Sequence, residues 1–149
     1  MSKIIEFGPE GREKLVKGIN TLADAVVSTL GPNGRNVVIE KDYGQVQSTK
    51  DGVTVAKHIS LKDPIENLGV NLVREASIKT AEKAGDGTTT STLLAREMIQ
   101  GGLKHLTNGV NAVEIKREID KAVKLVVQEL KTKISEDISS EDQLEQVAT

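Results

Sequence analysis

The sequence contains no cysteine and no tryptophan, and its only aromatic residues are Phe7 and Tyr43. Without cysteine, neither a disulfide framework nor a thiolate metal site can form. With so few aromatic side chains, the stacking of nucleic-acid bases on aromatic platforms is practically excluded. The core must therefore be built from valine, isoleucine, leucine and alanine, which suits the packing of aliphatic helices.

Long hydrophobic runs and a strong net charge are also missing. No run of about 18 apolar residues is present, so we expect no membrane span, and the start of the sequence has no apolar segment long enough for a secretory signal. The formal net charge of -2 over 149 residues gives no electrostatic footprint for nucleic acid or an anionic membrane. We therefore expect a soluble, cytoplasmic protein with a core of its own.

The first third of the chain predicts one short strand, one helix and one β-hairpin. The strand covers residues 3–7, and the helix after it carries apolar residues at three- and four-residue spacing up to Leu30. We expect this helix to end at Leu30-Gly31-Pro32, because glycine fits the position after a helix and proline blocks its continuation. Residues 36–41 and 45–49 predict the hairpin. Residues 53–56 are too few to decide between an extended and a helical start.

Three long helices complete a mainly α prediction. The first runs from about Pro64 to Ala84, the second starts at Asp86 and ends by Asn108-Gly109, and the third starts at Asn111. Each carries an apolar stripe that we expect in the core. The stripe residues are Ile65, Leu68, Leu72, Ala76 and Thr80 in the first helix, Leu94, Met98 and Ile99 in the second, and Ile115, Ile119, Val123, Val126, Val127 and Leu130 in the third.

The last residues start a further helical segment. Residues 135–140 are a polar break, and Glu141–Thr149 begins an amphipathic pattern without a C-terminal cap. We therefore expect the chain to be an N-terminal fragment of a longer protein.

The stretch from Ala84 to Thr90 (Ala-Gly-Asp-Gly-Thr-Thr-Thr) carries the clearest chemistry. Glycines at a helix start let backbone N–H groups approach an anion closely. Asp86 would repel a phosphate unless a divalent cation lies between them, and Mg²⁺ is typically held by one or two carboxylates plus phosphate oxygens. We therefore interpret the stretch in one of two ways: as half of a Mg²⁺-nucleotide site, or as a glycine turn with Asp86 or Thr88 as an N-cap.

Two other glycine turns combine backbone access with polar side chains. These are Thr29–Gly34, at a predicted helix end, and Lys50-Asp51-Gly52, at a strand end. One fold could bring them to the ligand bound at Gly85–Thr90. None of the three matches the P-loop or the dinucleotide-binding pattern.

Several long motifs, in order along the chain, closely resemble the group I chaperonins, the GroEL family. The resemblance covers Phe7 to Thr149 without an obvious gap. The motifs are Leu22–Val26, Leu30-Gly31-Pro32, Arg35–Val38, Thr49–Val53, Ala84–Thr90 and Ile119–Val123.

The resemblance implies that residues 1–149 are the N-terminal part of the equatorial domain, a mostly helical ATPase domain that also makes ring contacts. The intermediate, apical and C-terminal equatorial parts, with the second catalytic aspartate, are absent from this sequence. The full-length relative would be a homo-oligomer of two rings that folds unfolded client proteins with a lid co-chaperonin. Its ATPase would depend on Mg²⁺ and K⁺. The resemblance also places the hairpin and the strand 3–7 in a sheet shared with a neighbouring subunit.

The same resemblance implies a role for each site residue. Asp51 matches a carboxylate that helps to set up the attacking water, and Asp86 matches the Mg²⁺ ligand. Thr29, Lys50 and Thr89 lie where the family binds K⁺. The residues that match the ATP-binding positions are Thr29, Leu30, Gly31, Pro32, Lys50, Gly52, Asp86, Gly87, Thr88, Thr89 and Thr90.

Few residues depart from the family pattern. Asn33 and His58 stand where basic residues are more usual, and neither carries phosphate chemistry. Two other classes of function stay open: a stand-alone nucleotide-binding phosphotransferase, and a structural fragment that self-associates with an empty site. Tight nucleotide binding by residues 1–149 alone, lost in Asp86→Ala, would favour the first, and an oligomer of these residues that binds no Mg·ATP would favour the second.

Overall fold

A computed structural model describes residues 4–41 and 44–148, and the chain divides into two compact units, residues 1–103 and 104–149. The first unit contains α1 (Gly8–Val27), β1 (Val37–Glu40), β2 (Val46–Thr49), α2 (Gly52–His58), α3 (Pro64–Ala84) and most of α4 (Thr88–Thr107). The second contains the end of α4, α5 (Ala112–Glu129), a π-helical turn (Leu130–Ile134) and α6 (Glu141–Ala148). The predicted class, mainly helical with one small hairpin, is confirmed.

The core of the first unit is aliphatic, as the lack of aromatic residues predicts. It is formed by α1, α2 and α3, with Ala95 and Ile99 of α4 packed against it. Two hydrogen bonds also join α4 to α1, from Arg96 to Asp24 (2.7 Å) and from Gln100 to Asn20 (2.8 Å). The buried core residues are Ile19, Leu22, Val26, Val55, Ala56, Val70 and Val73.

Helices α1 and α3 touch backbone to backbone at two glycines. A Cβ on Gly18 would overlap the carbonyl oxygen of Glu66, and a Cβ on Gly69 would overlap that of Leu15. Because only glycine leaves room for such an approach, this crossing determines which face of α3 meets the core.

Because of that crossing, the buried face of α3 differs from the predicted apolar face. Leu68 and Leu72 are 52% and 57% exposed, whereas the buried residues of the helix are Ile65, Gly69, Val70, Val73 and Ser77. Part of the predicted α4 stripe is also wrong, because Leu94 and Met98 are exposed, whereas Ile99 packs on the core as predicted.

The α5 stripe is likewise not buried in the structure. No residue of α5 is buried, and Val123, Val126 and Val127 are exposed. The helix itself begins as predicted, with the Asn111 side chain accepting a hydrogen bond from the N–H of Val113 (2.8 Å). The amphipathic pattern therefore predicted the helix correctly, but the described residues of its own unit do not cover its apolar face.

The hairpin is confirmed, and the N-terminal strand is not. β1 and β2 pair antiparallel, with Val37 opposite Thr49 and Glu40 opposite Val46. Asp42 and Tyr43 of the predicted turn lie outside the described residues, as does Lys3 of the predicted strand. Residues 4–7 belong to no helix or strand, since in the described part of this single chain the only sheet is the hairpin.

The ends of α1, α2 and α4 differ slightly from their predicted positions. α1 ends at Val27, three residues before the predicted Leu30, and the undecided residues 53–56 are helical within α2. α4 begins at Thr88 and not at Asp86. The bounds of α3 and the polar break before α6 agree with the sequence prediction. No helix in the described ranges is long and apolar enough to cross a membrane.

Candidate functional site

The turn after α1 is closed by its own backbone. Arg35 donates its N–H to the Ser28 carbonyl (2.8 Å), and Gly34 donates to Gly31 (2.9 Å). Thr29 is buried, and its hydroxyl donates to the Val26 carbonyl (2.7 Å). Gly31 has a φ of +71° and open space where a side chain would be. Backbone at Gly31 is therefore accessible, while Thr29 faces the interior.

Asp51 is the N-cap of α2. One carboxylate oxygen, Oδ2, accepts hydrogen bonds from the Thr54 N–H (3.0 Å) and from the Thr54 hydroxyl. The Asp51 N–H in turn donates to the hydroxyl of Thr49 at the end of β2 (3.1 Å). The carboxylate is exposed, and its second oxygen, Oδ1, takes no part in the cap. Asp51 can therefore cap α2 and still offer an oxygen to a ligand or a water.

The start of α4 offers free N–H donors beside a carboxylate. Gly85 and Gly87 have φ angles of +75° and +79°, and nothing lies within 4 Å of a Cβ at either position. Gly87 donates its N–H to Oδ1 of the exposed Asp86 (2.6 Å). The first N–H groups of a helix have no intrahelical partner, so the N–H groups of residues 88–90 are available to an anion.

The three turns meet at Thr89. Its hydroxyl lies 3.4 Å from the hydroxyl of Thr29. A Cβ on the buried Gly52 would overlap the Thr89 hydroxyl and lie 3.2 Å from that of Thr88. The end of α1, the start of α2 and the start of α4 are therefore in direct contact, although Thr29 and Thr89 are 60 positions apart in the sequence.

The predicted site residues differ in burial. Thr29, Gly52 and Thr88 are buried, and Gly87 and Thr89 are half-buried. These residues form the floor on which the three turns touch. The exposed members are Leu30, Gly31, Pro32, Lys50, Asp51, Asp86 and Thr90.

The donor set fits a metal bound together with a phosphate. In the described ranges, no group of three or more His, Asp or Glu side chains could hold a metal ion. Mg²⁺ does not require such a group, because it keeps several waters and uses one or two carboxylates plus substrate phosphate oxygens. Asp86 is exposed and lies beside free N–H donors and two glycines with open space around them, so it fits a Mg²⁺ ion bound together with a phosphate.

Sequence reasoning missed the roles of two residues at the site. Thr54 anchors the Asp51 carboxylate, and its position three residues after an aspartate, a residue type favoured at the N-cap, could have indicated this. A Cβ on Gly34 would overlap the Thr29 carbonyl oxygen, so this glycine allows the turn after α1 to close. No periodic pattern marks that close approach.

Two turns and the start of a helix therefore converge at one corner of a helical unit, where backbone N–H groups are open to an anion. The sequence model of the TCP-1/cpn60 chaperonin family matches residues 22–149. The chain belongs to that family.

A solved relative supports the same fold. The chain is similar to the crystal structure of the chaperonin gp146 from the bacteriophage EL 2 (Pseudomonas aeruginosa), determined in the presence of ATP-BeFx. The two are 34% identical, the match covers 84% of this chain, and the TM-score is 0.68. This chain spans 22% of the length of that chaperonin.

Proposed function

We propose that this chain is the N-terminal part of the equatorial ATPase domain of a group I chaperonin, and that the full-length protein is an ATP-dependent molecular chaperone. The observation that carries the proposal is the convergence at Thr89. Residues from three distant turns meet there, with free N–H donors and an exposed carboxylate beside them. Membership of the chaperonin family, and similarity to a chaperonin determined in the presence of ATP-BeFx, support a nucleotide as the ligand of this corner.

The proposed roles follow from position. The N–H groups at the start of α4 and the open backbone at Gly31 bind phosphate oxygens. Asp86 is the protein ligand of Mg²⁺, which neutralises developing charge on the phosphates when bound. Thr29, Lys50 and Thr89 supply oxygen atoms for K⁺, and in Lys50 this atom is the backbone carbonyl oxygen. Two of these three residues already lie together, with hydroxyls 3.4 Å apart.

Asp51 is proposed to orient the attacking water. In phosphoryl transfer the protein acts mainly by positioning and by stabilising charge. The water oxygen forms a bond to the γ-phosphorus, the bond from that phosphorus to the bridging oxygen breaks, and ADP leaves. Because Oδ2 is used by the cap of α2, the carboxylate is held at a defined angle while Oδ1 can accept a hydrogen bond from the water.

The rest of the proposal concerns the full-length protein. The second catalytic aspartate, the contacts to base and ribose, the surface that binds unfolded client proteins and the surface that binds the lid co-chaperonin lie outside residues 1–149. We expect two homo-oligomeric rings, and weak or no hydrolysis by residues 1–149 alone.

The experiment compares Asp51→Asn with Asp120→Asn in the full-length protein. Asp120 is an exposed α5 carboxylate paired with Lys116 (3.0 Å), so it controls for the loss of one charge. We expect Asp51→Asn to lower kcat at least about a hundredfold while Mg·ATP still binds, and Asp120→Asn to leave both unchanged. Full ATPase activity in Asp51→Asn would contradict the assigned role.

A second candidate, a self-associating fragment with an empty site, is favoured by one observation. Val38 and Val46 of the hairpin are 67% and 68% exposed. Both strands of this two-stranded sheet are edge strands, and unpaired strand edges promote association. Light scattering with calorimetry tests this candidate. An oligomer of residues 1–149 that takes up no Mg·ATP would support it, and uptake of Mg·ATP by these residues would oppose it.

A further inference from the structure

Helix α3 carries a polar cluster to which the proposed nucleotide site assigns no role. Asn67, Asn71 and Arg74 are spaced by four and three residues, so they lie on one face of the helix. We call these three residues the α3 clasp. Arg74 bonds to the end of α2, Asn67 bonds to the segment after α2, and Asn71 bonds to the guanidinium of Arg74.

Arg74 is the centre of the clasp. Its Nε donates to the carbonyl of Ala56 (2.8 Å), in the last turn of α2, and a terminal nitrogen donates to the carbonyl of Ile59, the C-cap. The other terminal nitrogen donates to the side-chain oxygen of Asn71 (2.8 Å). Asn67 accepts a hydrogen bond from the Leu61 N–H (2.9 Å).

The chemistry of these bonds suits the end of a helix. The last carbonyls of a helix lack intrahelical partners and carry partial negative charge, which a cation stabilises. A planar guanidinium can hold two of them at once in a defined geometry, whereas an ammonium is a point charge on a flexible stem.

Helix α2 is therefore held at both ends. At its start, Gly52 packs against Thr89, and at its end Arg74 holds Ala56 and Ile59. Seven residues of helix span only about 10 Å, so a displacement at the clasp is carried to Asp51 at the N-cap.

We propose that Arg74 is a positioning residue for ATP hydrolysis. It acts through α2, by setting where that helix presents the Asp51 carboxylate to the attacking water. The inference rests on the proposed role of Asp51. It predicts a selective loss of rate, because the hydrogen bonds of Arg74 are made to Ala56, Ile59 and Asn71, and none of them is made to the phosphate-binding N–H groups at the start of α4.

The experiment uses the full-length protein with three variants. Arg74→Met removes all the bonds, Arg74→Lys keeps the charge, and Lys79→Met is the control. Lys79 is an exposed cation on the same helix that pairs with the exposed Glu75 (2.6 Å). The measurements are the single-turnover rate of ATP hydrolysis and the Kd for Mg·ADP.

We expect Arg74→Met to lower the hydrolysis rate about tenfold or more, since small displacements of a reacting group have effects of this size. The Kd for Mg·ADP stays within about twofold. Arg74→Lys recovers part of the rate, and Lys79→Met matches the wild type. An Arg74→Met rate equal to that of Lys79→Met, or a Kd that rises as much as the rate falls, would overturn the proposal.

Two additions keep the outcomes separate. If Arg74→Met does not fold, Arg74→Lys decides alone, and a rate equal to the wild type overturns the proposal. Amide exchange of Thr54 and Val55 without nucleotide reports how firmly α2 is held. Unchanged exchange in the folded Arg74 variants overturns the inference even where hydrolysis is slower. Faster exchange together with an inactive wild type overturns the proposed function, and with it the positioning role.

Discussion

At the scale of single residues, two buried hydroxyls differ in whether they have a partner. Ser77 of α3 and Thr92 of α4 are both 0% exposed. The Thr92 hydroxyl donates to the Thr88 carbonyl (2.9 Å), whereas the Ser77 hydroxyl has no hydrogen-bond partner among the described residues. A buried polar group without a partner opposes folding by its desolvation cost, and a satisfied one does not.

The first prediction follows from that difference. Ser77→Ala removes the unpartnered hydroxyl, and we expect it to raise the free energy of unfolding by about 1 kcal/mol. Thr92→Val keeps the shape but removes a satisfied bond, and we expect it to lower the free energy by about 1 kcal/mol. Urea unfolding of both variants measures the two effects. A Ser77→Ala variant less stable than the wild type would mean that the hydroxyl has a partner.

Asp63, the N-cap of α3, gives a prediction about pH. Its carboxylate accepts hydrogen bonds from the N–H groups of Glu66 (3.1 Å) and Ile65 (2.8 Å), and Lys14 lies 3.7 Å away. The bond from Glu66, then that from Ile65, and the charge of Lys14 lower the pKa of Asp63 below its ordinary value. A lowered pKa means that the folded state favours the ionised form.

The stabilisation by Asp63 is therefore present above its unfolded pKa and is lost as the pH falls through the lower folded pKa. Asp63→Asn keeps a capping oxygen but has no charge. We expect the variant to be less stable than the wild type at pH 7, and the difference to shrink in acid below about pH 3.8. Urea midpoints at several pH values test this. A difference independent of pH would contradict it.

At the scale of elements, the crossing of α1 and α3 organises the first unit. Gly18 and Gly69 bring the two backbones together, and the nearest neighbours of an added Cβ at either position are backbone atoms, which can shift only at a high cost. This contact lies directly beside the buried core residue Ile19, so strain at the crossing would be transmitted into the core.

We expect Gly18→Ala to lower the free energy of unfolding by about 3 kcal/mol, because overpacking forces backbone shifts. Gly101→Ala is the matched control in α4, where nothing lies within 4 Å of the new Cβ. That variant should gain about 0.5–1 kcal/mol from helix propensity alone. Thermal or urea unfolding distinguishes the two. A Gly18→Ala variant as stable as Gly101→Ala would contradict the close crossing.

Local signals explain why some elements could be predicted and others could not. The bounds of α3 were predictable because Asp63 and Pro64 mark its start and Gly85, in a left-handed conformation, marks its end. The buried face of the same helix was not, because Leu68 and Leu72 look like core residues until the glycine crossing is known. The role of Arg74 was hidden for the same reason, since its partners are carbonyl groups of another helix.

At the scale of the whole molecule, the candidate site exists only through the fold. Thr29, Gly52 and Thr89 belong to three different turns, and spacing along the chain does not predict that they touch. The sequence alone left Gly85–Thr90 open between a helix cap and a phosphate site. The resemblance to the chaperonins, and not periodicity, predicted which residues form one site. The contact of Thr29 and Gly52 with Thr89 supplies the physical basis for that grouping.

The central claim is that the start of α4 binds a Mg²⁺-nucleotide through Asp86. Calorimetry of Mg·ATP binding to the full-length protein tests it most directly, with Asp86→Ala beside the exposed control Asp120→Ala. The account predicts binding to the wild type and to Asp120→Ala, at least about tenfold weaker binding to Asp86→Ala, and loss of the difference when Mg²⁺ is chelated. Equal affinities for the wild type and Asp86→Ala in the presence of Mg²⁺ would contradict it.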